Sequence, residues 1–600
     1  MTIAVKVPLC AIVGRYQLFL KMLNDAGIGK KEPIGFFYVL FNPWVQGDEV
    51  FLPTEEEREE YVLNDTGLIL YGHEQIRNSR PWDFGQFEED ILDITLYLLD
   101  QSLDLKRDPD GELLKRSGAL HVSRTLCAMV NHHNENTVFV GSWIGGFINS
   151  VVPSRWNGSV QVLRSWRQNG PVPFGQCWVS AGVLCTMLRC LGIPTRLVTI
   201  FDAARRTDAQ FYSTRFFFEN GIFTTQWFPS VWNFHTLIEV WIRRKELNRL
   251  NSDWQVLDTD SGDSSRVINR LGPASLRAIR DGDVELDYDT AFLFAELNCQ
   301  ICEQIDLSKR NAYTNIHSAG QFVGTKALGA LAIVDVTDAH KYPEGTQNAR
   351  DILTKARNTM LRKPSLMSSS RDLVKNPSIR VPKPDFTGSF EQGQPSRVGE
   401  DVDTTLSLKN TNDEAKVIQV NLAVYTMAYT KIPLKEIVKE SLSISLGPDE
   451  EKKIPYTIKY SQYRNGISND NLIQFVAVCF DNKEGSLLTH SVATLLNPPL
   501  LIKVCGNPIF NVPLPVEILF SNPLEEDVAN CHLVVEGSGL LRKPVALCLP
   551  IVKSKQTSVT KVNLLPYRAG PRILLANFNS DKFHDIKAYQ EITIPPLHIN

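Results

Sequence analysis

The pattern of apolar residues changes at residues 361–385, and this change constrains the fold more than any single motif. Before it, amphipathic helical segments such as 87–101 alternate with strand-like runs such as 196–200. After it, runs such as 417–425 show the two-residue alternation that is typical of strands. The segment itself is rich in serine, basic residues and proline, which predicts a linker. We therefore expect a mixed helix and strand part followed by an all-β part.

Length and turn signals predict a multidomain chain. A chain of 600 residues is too long for one hydrophobic core. Residues 1–42 indicate the end of a β-sandwich, with strands expected at 3–8, 15–22 and 36–41, and a break at residues 497–499 divides the all-β part. The predicted domains are a partial N-terminal β-sandwich at 1–42, an α+β core at 43–360, a linker at 361–385, and two immunoglobulin-like β-barrels at 386–496 and 497–600.

Composition excludes several classes of protein. The 63 basic and 67 acidic residues give a formal charge of −4, which predicts no nucleic-acid partner. No apolar run approaches about 18 residues, so the sequence predicts no transmembrane segment. The N-terminus carries a single early lysine and a proline at position 8, unlike a signal peptide. With only 11 cysteines, we expect a reducing, cytoplasmic location, or release without a signal peptide.

Most of the cysteines lie in no sequence pattern that indicates catalysis or metal binding. Cys299 and Cys302 form a CxxC pair, but no second pair accompanies it, which argues against zinc. A helix expected over 295–305 would place them one turn apart as a buried structural pair. Cys185 and Cys190 are interpreted as small inert core residues.

Cys177 differs because it opens an apolar helical run, predicted over 177–191. The helix macrodipole is expected to lower the pKa of a thiol at this position and make it a nucleophile. A catalytic thiol also needs an imidazole as base and a group that orients the imidazole. His235 and Asp258 lie in two strand-like runs and are the candidates for these roles.

Several motifs resemble those of the transglutaminases, in that family's order. Cys177 and His235 are 58 residues apart, and His235 and Asp258 are 23 residues apart, which also agrees with the family. The motifs are Gly175-Gln176-Cys177-Trp178, Leu188 to Arg196, Trp232-Asn233-Phe234-His235, Trp254 to Asp258, Asn42-Pro43-Trp44, Trp82 to Phe87 and Lys341 to Gly345. The chain is therefore identified as a member of the transglutaminase family, N-terminally shortened. The resemblance implies a papain-like Cys/His/Asp core followed by two C-terminal barrels.

The resemblance also implies the reaction, which is acyl transfer from a protein glutamine to a lysine or a small primary amine. A thioester on Cys177 would be the intermediate, and isopeptide crosslinks would be the product. Trp143 matches the family's indole donor to the oxyanion, beside the backbone N–H of Cys177. Trp232 matches an aromatic wall of the family's acceptor tunnel, which would exclude water.

Most members of the family need calcium, and this chain departs from their main site. Asn298 and Glu344 match two ligands, but Gln300 stands where an aspartate is usual and Ala349 where a second glutamate is usual. Since calcium takes several oxygen ligands, chiefly carboxylates, we expect weak binding and one ion at most.

Two further calcium loops also differ. Arg206 stands where an aspartate is expected, between Asp202 and Asp208. The other loop keeps oxygen donors in residues of the segment 131–135, namely Asn131, Asn134 and Glu135.

The regulatory and acceptor regions depart from the family as well. Ser491 and Thr494 stand where nucleotide-regulated members carry an arginine and a tyrosine, so GTP regulation is not supported. Residues 236–237 and 243–247 also differ, which predicts an altered acceptor side.

Two alternatives to the transferase stay open from the sequence. A catalytically weak or inactive structural member, acting as a scaffold, is favoured by the lost calcium ligands and disfavoured by the complete triad. A thiol hydrolase, which deamidates glutamine, would result from the same site with more access for water.

Overall fold

The structure is a computed structural model that describes residues 4–21, 30–73, 75–131, 134, 136–140, 155–173, 175–205, 211–218, 221, 223–224, 231–247, 251–260, 269–306, 314–362, 384–482 and 485–596.

The first two strands in the described part of the chain form a small antiparallel sheet. Strands β1 (Gly14–Lys21) and β2 (Lys31–Val39) pair antiparallel, from Gly14 opposite Val39 to Lys21 opposite Lys31. This agrees with two of the three strands expected in this region. Residues 4–8 form no strand, so that part of the prediction is wrong. A turn follows instead, in which the N–H of Ala11 donates to the Pro8 carbonyl at 3.0 Å.

The core mixes short helices and strands, as the sequence predicts. Its helices are α1 (Glu55–Arg58), continued by a π-helical turn (Glu59–Leu63), α2 (Ile91–Asp100), α3 (Leu103–Arg107), α4 (Pro109–Lys115), α5 (Ala119–Val130), α6 (Ser159–Asn169), α7 (Cys177–Cys190), α8 (Leu276–Asp281), α9 (Thr290–Asn298), α10 (Thr337–His340) and α11 (Gln347–Arg362). Its strands are β3 (Thr66–Gly72), β4 (Arg77–Asp83), β5 (Phe139–Val140), β6 (Val172–Pro173), β7 (Thr195–Ala204), β8 (Tyr212–Phe218), β9 (Phe223–Thr224), β10 (Val231–Trp241), β11 (Trp254–Asp258), β12 (Leu271–Ser275), β13 (Gln300–Asp306), β14 (Thr314–Ser318), β15 (Phe322–Lys326) and β16 (Ile333–Asp335).

The main core sheet has six strands in the order β12-β11-β10-β7-β15-β16, and all its pairs are antiparallel. Helix α7 packs against this sheet, and each of its residues is buried. Gly182 makes close packing possible on its other side, since a Cβ there would lie 2.4 Å from Nε1 of Trp82. An apolar helix held between a sheet and other helices places its first residue, Cys177, inside the protein.

A second core sheet corrects one prediction. It has the order β14-β13-β8-β9, and β13 pairs with β8 in parallel. Helix α9 ends at Asn298 and Cys302 lies on β13, so the helix expected over 295–305 is wrong. Strand pairing on both edges of β13 overrides the local helical pattern. Cys299 and Cys302 are both buried, as are Cys185 and Cys190.

Each C-terminal domain packs a three-stranded sheet against a four-stranded sheet. The first has the orders β17-β18-β21 and β20-β19-β22-β23, and the second β24-β25-β28 and β27-β26-β29-β30. Seven antiparallel strands in two sheets are the immunoglobulin-like arrangement. The elements of the first are β17 (Phe386–Gln392), β18 (Val402–Asn410), β19 (Lys416–Met427), β20 (Pro433–Leu446), β21 (Glu451–Ile458), α12 (Tyr460–Tyr463), β22 (Leu472–Asp481) and β23 (Ser486–Thr494). Those of the second are β24 (Leu500–Val504), β25 (Leu514–Ser521), β26 (Cys531–Glu536), β27 (Val545–Leu549), β28 (Thr557–Leu564), β29 (Gly570–Asn579) and β30 (Ile586–Ile594).

Both barrels contact the core through polar groups. Arg80 of the core donates to Asp585 of the second barrel at 2.7 Å, and Lys587 donates to Asn157 at 2.6 Å. From the first barrel, His490 lies 3.1 Å from the buried Glu303 of the core. This architecture confirms the expected fold class, while the exact domain boundaries and the linker stay predictions. Within the described residues, no helix is both long and apolar enough to cross a membrane.

Candidate active site

The structure places Cys177, His235 and Asp258 on three elements that contact one another in turn, helix α7, strand β10 and strand β11. Cys177 begins α7, His235 lies on β10, and Asp258 ends the neighbouring strand β11. All three side chains are fully buried. The three residues selected from the sequence thus lie on neighbouring elements of the fold.

The imidazole of His235 is oriented by Asp258. Its Nε2 lies 3.0 Å from Oδ1 of Asp258, and the same oxygen accepts the backbone N–H of Asp260 at 2.9 Å. The thiol of Cys127 donates to the Asp258 carbonyl at 3.2 Å. Nδ1 of His235 has no hydrogen-bond partner within the described part of the chain. With Nε2 directed to the carboxylate, Nδ1 is the nitrogen that can exchange a proton with a nucleophile.

The thiol of Cys177 is neutral in this conformation, contrary to the macrodipole argument. Burial raises its pKa to about 12, which outweighs the hydrogen bond from the Thr236 backbone. The pKa of His235 is lowered by burial and then by the charge of Arg205. Burial would raise the pKa of Asp258, but Arg205 and His235 hold it well below its usual range. The resting pair is therefore an uncharged thiol and an uncharged imidazole.

Tyr429 of the first barrel covers the thiol end of α7. Its ring centroid lies 5.2 Å from that of Trp178, 5.5 Å from Trp232 and 5.0 Å from Phe234. Its carbonyl accepts the N–H of Asn233 at 2.8 Å, which joins the barrel directly to β10. Its pKa is raised by burial and then by the neighbouring Cys177. The site is thus closed by a residue for which the sequence offers no local signal.

Arg205 is a second residue that the motif analysis missed. It follows β7 directly, and its side chain is buried. Its Nη1 lies 3.0 Å from Nε2 of His235 and donates to Oδ2 of Asp258 at 2.7 Å and to Oε1 of Glu296 at 2.5 Å. Its Nη2 donates to the carbonyl of Asp260 and lies 3.1 Å from the Asp260 carboxylate.

The Arg205 side chain leaves no room for a metal ion between His235, Asp258 and Glu296. Ligand atoms of His235, Asp258 and Glu296 lie within 4.8 Å of one another, a spacing that could hold a metal ion. Nη1 of Arg205 is at hydrogen-bond distance from all three, so a fixed guanidinium already fills the position of the cation.

Of the two tryptophans that the sequence predicts at the site, the structure describes Trp232. Trp143 lies outside the described residues. Trp232 lies on β10, where its ring centroid is 5.8 Å from that of His235 and 5.1 Å from Cζ of Arg205. This places an aromatic wall against the imidazole.

The main calcium site predicted from the sequence fits calcium poorly. Glu344 supplies its one carboxylate, and both oxygens accept from nitrogen donors, Ser318 N–H at 3.0 Å and Gln321 Nε2 at 2.6 Å. Asn298 donates its amide to the Phe294 carbonyl at 3.1 Å. Gln300 begins β13, and Ala349, in the first turn of α11, has no side-chain oxygen.

A nearby ammonium group weakens that site further. Lys341 is buried and donates to two carbonyls, Leu297 at 3.0 Å and Ala319 at 2.6 Å. Burial lowers its pKa to about 8, although the charge of Glu344 opposes this effect. A cation next to Glu344 competes with a calcium ion for the same negative charge.

In the other two calcium loops, Asp202 and Asn134 already use side-chain oxygens in contacts within the protein. Asp202 forms an ion pair with Lys431. Asn134 uses its amide on the Ala128 and Asn269 carbonyls, at 3.0 and 2.7 Å, and its oxygen accepts the Asn269 N–H at 2.7 Å. Asn131 is buried. The candidate ligands Asp208 and Glu135, and Arg206 at the position of the expected aspartate, lie outside the described residues.

Comparison with known proteins agrees with this geometry. Residues 146–259 match the family model of the transglutaminase-like superfamily, and residues 386–481 and 498–596 match that of the transglutaminase family C-terminal ig like domain. The chain is 38% identical to protein-glutamine gamma-glutamyltransferase E of Mus musculus, over 99% of this chain and 86% of the relative. It is also 38% identical to protein-glutamine gamma-glutamyltransferase 6 of Homo sapiens, over 98% and 85%.

A solved structure shows the same fold. The crystal structure of red sea bream transglutaminase matches with a TM-score of 0.87 and 30% identity, covering 98% of this chain and 86% of that one. Sequence, architecture and site thus agree, and the chain belongs to the transglutaminase family, as an acyltransferase with the activity of a protein-glutamine gamma-glutamyltransferase.

Proposed function

We propose that acyl transfer in this transglutaminase uses Cys177 as nucleophile, His235 as general base and acid, and Asp258 as the group that orients the imidazole. The observation that carries these roles is the 3.0 Å contact between His235 Nε2 and Asp258, which leaves Nδ1 without a partner in the described structure. A base with one nitrogen held by a carboxylate and the other free is what a thiol nucleophile needs.

The first half-reaction forms the thioester. Nδ1 of His235 takes the thiol proton, and the sulfur of Cys177 attacks the carboxamide carbon of a protein glutamine. The tetrahedral intermediate then collapses, the C–N bond breaks, and the imidazolium returns its proton to the leaving ammonia. The backbone N–H of Cys177, at the start of α7, would donate to the oxyanion, with the indole of Trp143 as the second donor.

The second half-reaction forms the crosslink. A lysine or small primary amine attacks the thioester carbon and gives its proton to His235, and the sulfur leaves as the carbon–nitrogen bond forms. Water attacking in place of the amine would give glutamate instead. Trp232, which is 8% exposed, would limit the access of water beside the imidazole.

The closed conformation requires a change before substrate enters. Tyr429 and the aromatic rings around it leave Cys177 fully buried, so a glutamine side chain cannot reach the sulfur. Opening also changes the electrostatics, because hydration of the thiol removes the main cause of its raised pKa.

Calcium is proposed to bind at one site at most, with weak affinity. Asn298, Gln300 and Glu344 are the candidate ligands, and the engaged oxygens of Glu344 support weak binding. We propose no regulation by GTP. We also propose a location in the cytoplasm, or release without a signal peptide, which the small number of cysteines, 11 in 600 residues, supports.

The test is incorporation of a fluorescent primary amine into a glutamine-rich protein, with calcium and with chelator. Cys177→Ala should abolish labelling, while the matched control Cys185→Ala, also buried on α7, should retain it. Labelling by Cys177→Ala would contradict the proposed nucleophile. Ammonia release that does not need the amine would favour the hydrolase, and no release from the wild type would favour the scaffold.

A further inference from the structure

Arg205 lies at the centre of a buried cluster of charges, which we call the Arg205 cluster. Its members are Arg205, His235, Asp258, Asp260 and Glu296, and their side chains are at most 8% exposed. The guanidinium contacts all four partners, through the bonds described above. A buried arginine with three acidic partners is held rigidly. If its side chain moved, each broken hydrogen bond would cost free energy, because bulk water does not reach a buried group to replace it.

The cluster fixes both oxygens of Asp258. Oδ2 accepts from Arg205, while Oδ1 faces His235 and accepts the N–H of Asp260. A carboxylate fixed at both oxygens cannot rotate away from the imidazole. The orientation of His235 therefore depends on Arg205, although within the described residues Arg205 itself makes no hydrogen bond to the Cys177 thiol.

Arg205 also bears on the protonation of His235. When Nε2 carries the proton it donates to Asp258, and Nδ1 keeps the lone pair that can accept the thiol proton. When Nε2 is bare it accepts from Arg205, and the protonated Nδ1 cannot act as a base. A second proton on the ring would place an imidazolium 3.0 Å from a guanidinium. Charge repulsion at that distance disfavours the imidazolium.

We propose that Arg205 is a positioning residue of acyl transfer, which fixes the Asp258 carboxylate beside His235 and keeps the imidazole uncharged until the thiol gives up its proton. The inference rests on the proposed roles of Cys177, His235 and Asp258. An uncharged imidazole at rest is a base ready to accept the proton of the thiol, and later that of the amine.

The charged and titratable groups around His235 decide whether its pKa rises or falls when Arg205 is removed. They come from each element packed there: Arg205 after β7, Asp258 and Asp260 at the end of β11, Glu296 on α9, Cys177 on α7 and Tyr429 in the first barrel. Among the causes that shift its pKa, Arg205 acts in the direction of burial and Asp258 opposes it. Removing the guanidinium should therefore make His235 easier to protonate.

The first measurement is the pH titration of His235 by NMR, which needs no turnover. Among 11 histidines, the ring C–H signal of His235 is identified by its loss in His235→Asn. Arg205→Met should move its titration upward by about one pH unit or more, and Arg205→Lys, which keeps the charge, should leave it near the wild-type position. Arg205→Met leaves buried carboxyl groups without a cation and could unfold. The double variant Arg205→Met/Glu296→Gln therefore removes the Glu296 carboxyl group together with the Arg205 guanidinium.

The second measurement is the rate of amine incorporation. Arg205→Lys loses the planar fork, so we expect kcat to fall roughly 10-fold to 100-fold with KM little changed, since Arg205 does not face the substrate. The acid limb of kcat should follow His235 and move to higher pH in the variants that carry Met. Arg189→Met is the matched control: Arg189 is buried, bonds the Thr195 carbonyl at 3.0 Å, and lies near the far end of α7.

Each outcome decides the proposal. His235 titrating at the wild-type pH in either folded Met variant would overturn it, and so would wild-type kcat in Arg205→Lys. An equally large shift of the His235 titration in Arg189→Met would indicate a general loss of packing and would also overturn the proposal. A wild type without any transferase activity would contradict the proposed function instead, and the NMR titration would still test Arg205.

Discussion

The ammonium group of Lys431 forms an ion pair with the carboxylate of Asp202, across the boundary between the first barrel and the core. Both side chains are largely buried, with 13% and 10% of their surface exposed. Asp202 lies near the end of β7, three residues before Arg205, and Lys431 follows Tyr429 by two residues. The ion pair therefore fastens the loop that covers the thiol to the strand that leads into the Arg205 cluster.

Lys431→Met should loosen this closure. Loss of the ion pair leaves Asp202 unpaired, and its carboxylate is better hydrated when the barrel moves away. With about 1 to 2 kcal/mol removed from the closed state, the open fraction should rise roughly 5-fold to 30-fold. The measurement is the rate at which iodoacetamide alkylates Cys177.

Lys435→Met is the matched control for that prediction. Lys435 is exposed on β20, so its removal changes the net charge equally without touching the closure. An alkylation rate equal to that of the wild type in Lys431→Met would show that the ion pair does not hold the barrel.

Tyr429→Ala should expose the thiol at a cost in stability. The ring packs against Trp178, Trp232 and Phe234, and removing it leaves a cavity that costs about 3 to 5 kcal/mol. We expect faster alkylation of Cys177 and a lower melting temperature. Tyr463→Ala removes an equally buried ring from the first barrel, and it should lower stability without speeding alkylation. Equal alkylation rates in the two variants would refute a covering role for Tyr429.

His73 should make the protein less stable in mild acid. Burial, and then the charge of Lys431, lower its pKa to about 4 from 6.5. Between these values the unfolded chain binds a proton that the folded chain does not, so the free energy of unfolding falls as the pH falls through this window. At about pH 5 the loss is about 2 kcal/mol relative to neutral pH.

The measurement is denaturant unfolding at about pH 7 and pH 5, for the wild type and for His73→Gln. The variant should lack this part of the acid sensitivity. If both proteins lose the same stability on acidification, His73 is protonated in the folded state and the prediction fails.

Ala349→Glu should strengthen calcium binding. A glutamate in the first turn of α11 would add a second carboxylate near Glu344, and we expect roughly tenfold tighter binding, worth about 1.4 kcal/mol. Isothermal titration with calcium measures the change. Asn348→Glu adds the same charge one residue earlier, where the side chain points about 100° away, and should have little effect. Equal gains in both variants would indicate a general effect of charge.

The sequence predicts the scaffold of the site because local pattern and motif agree there. The helix expected over 177–191 is observed as Cys177–Cys190, and the runs containing His235 and Asp258 are strands. These segments are apolar and bounded by turn residues, so their local pattern indicates the same structure that their long-range pairing produces.

Long-range packing explains what the sequence did not predict. The segment 295–305 has a helical pattern, but pairing with β8 and β14 makes Gln300–Asp306 a strand. The position of Cys177 at a helix N-terminus predicts a lowered pKa for its thiol, and only the tertiary structure shows the burial that raises that pKa instead. Tyr429 and Arg205 act through contacts with residues far away in the chain, for which no local signal exists.

The aromatic closure over Cys177 gives the protein an optical reporter of its own. Trp178 and Trp232 are 2% and 8% exposed, and both rings touch Tyr429. Departure of the first barrel would bring two of the chain's 10 tryptophans into water, where indole emission shifts to longer wavelength. Opening of the site can thus be followed by intrinsic fluorescence, in real time and without a label.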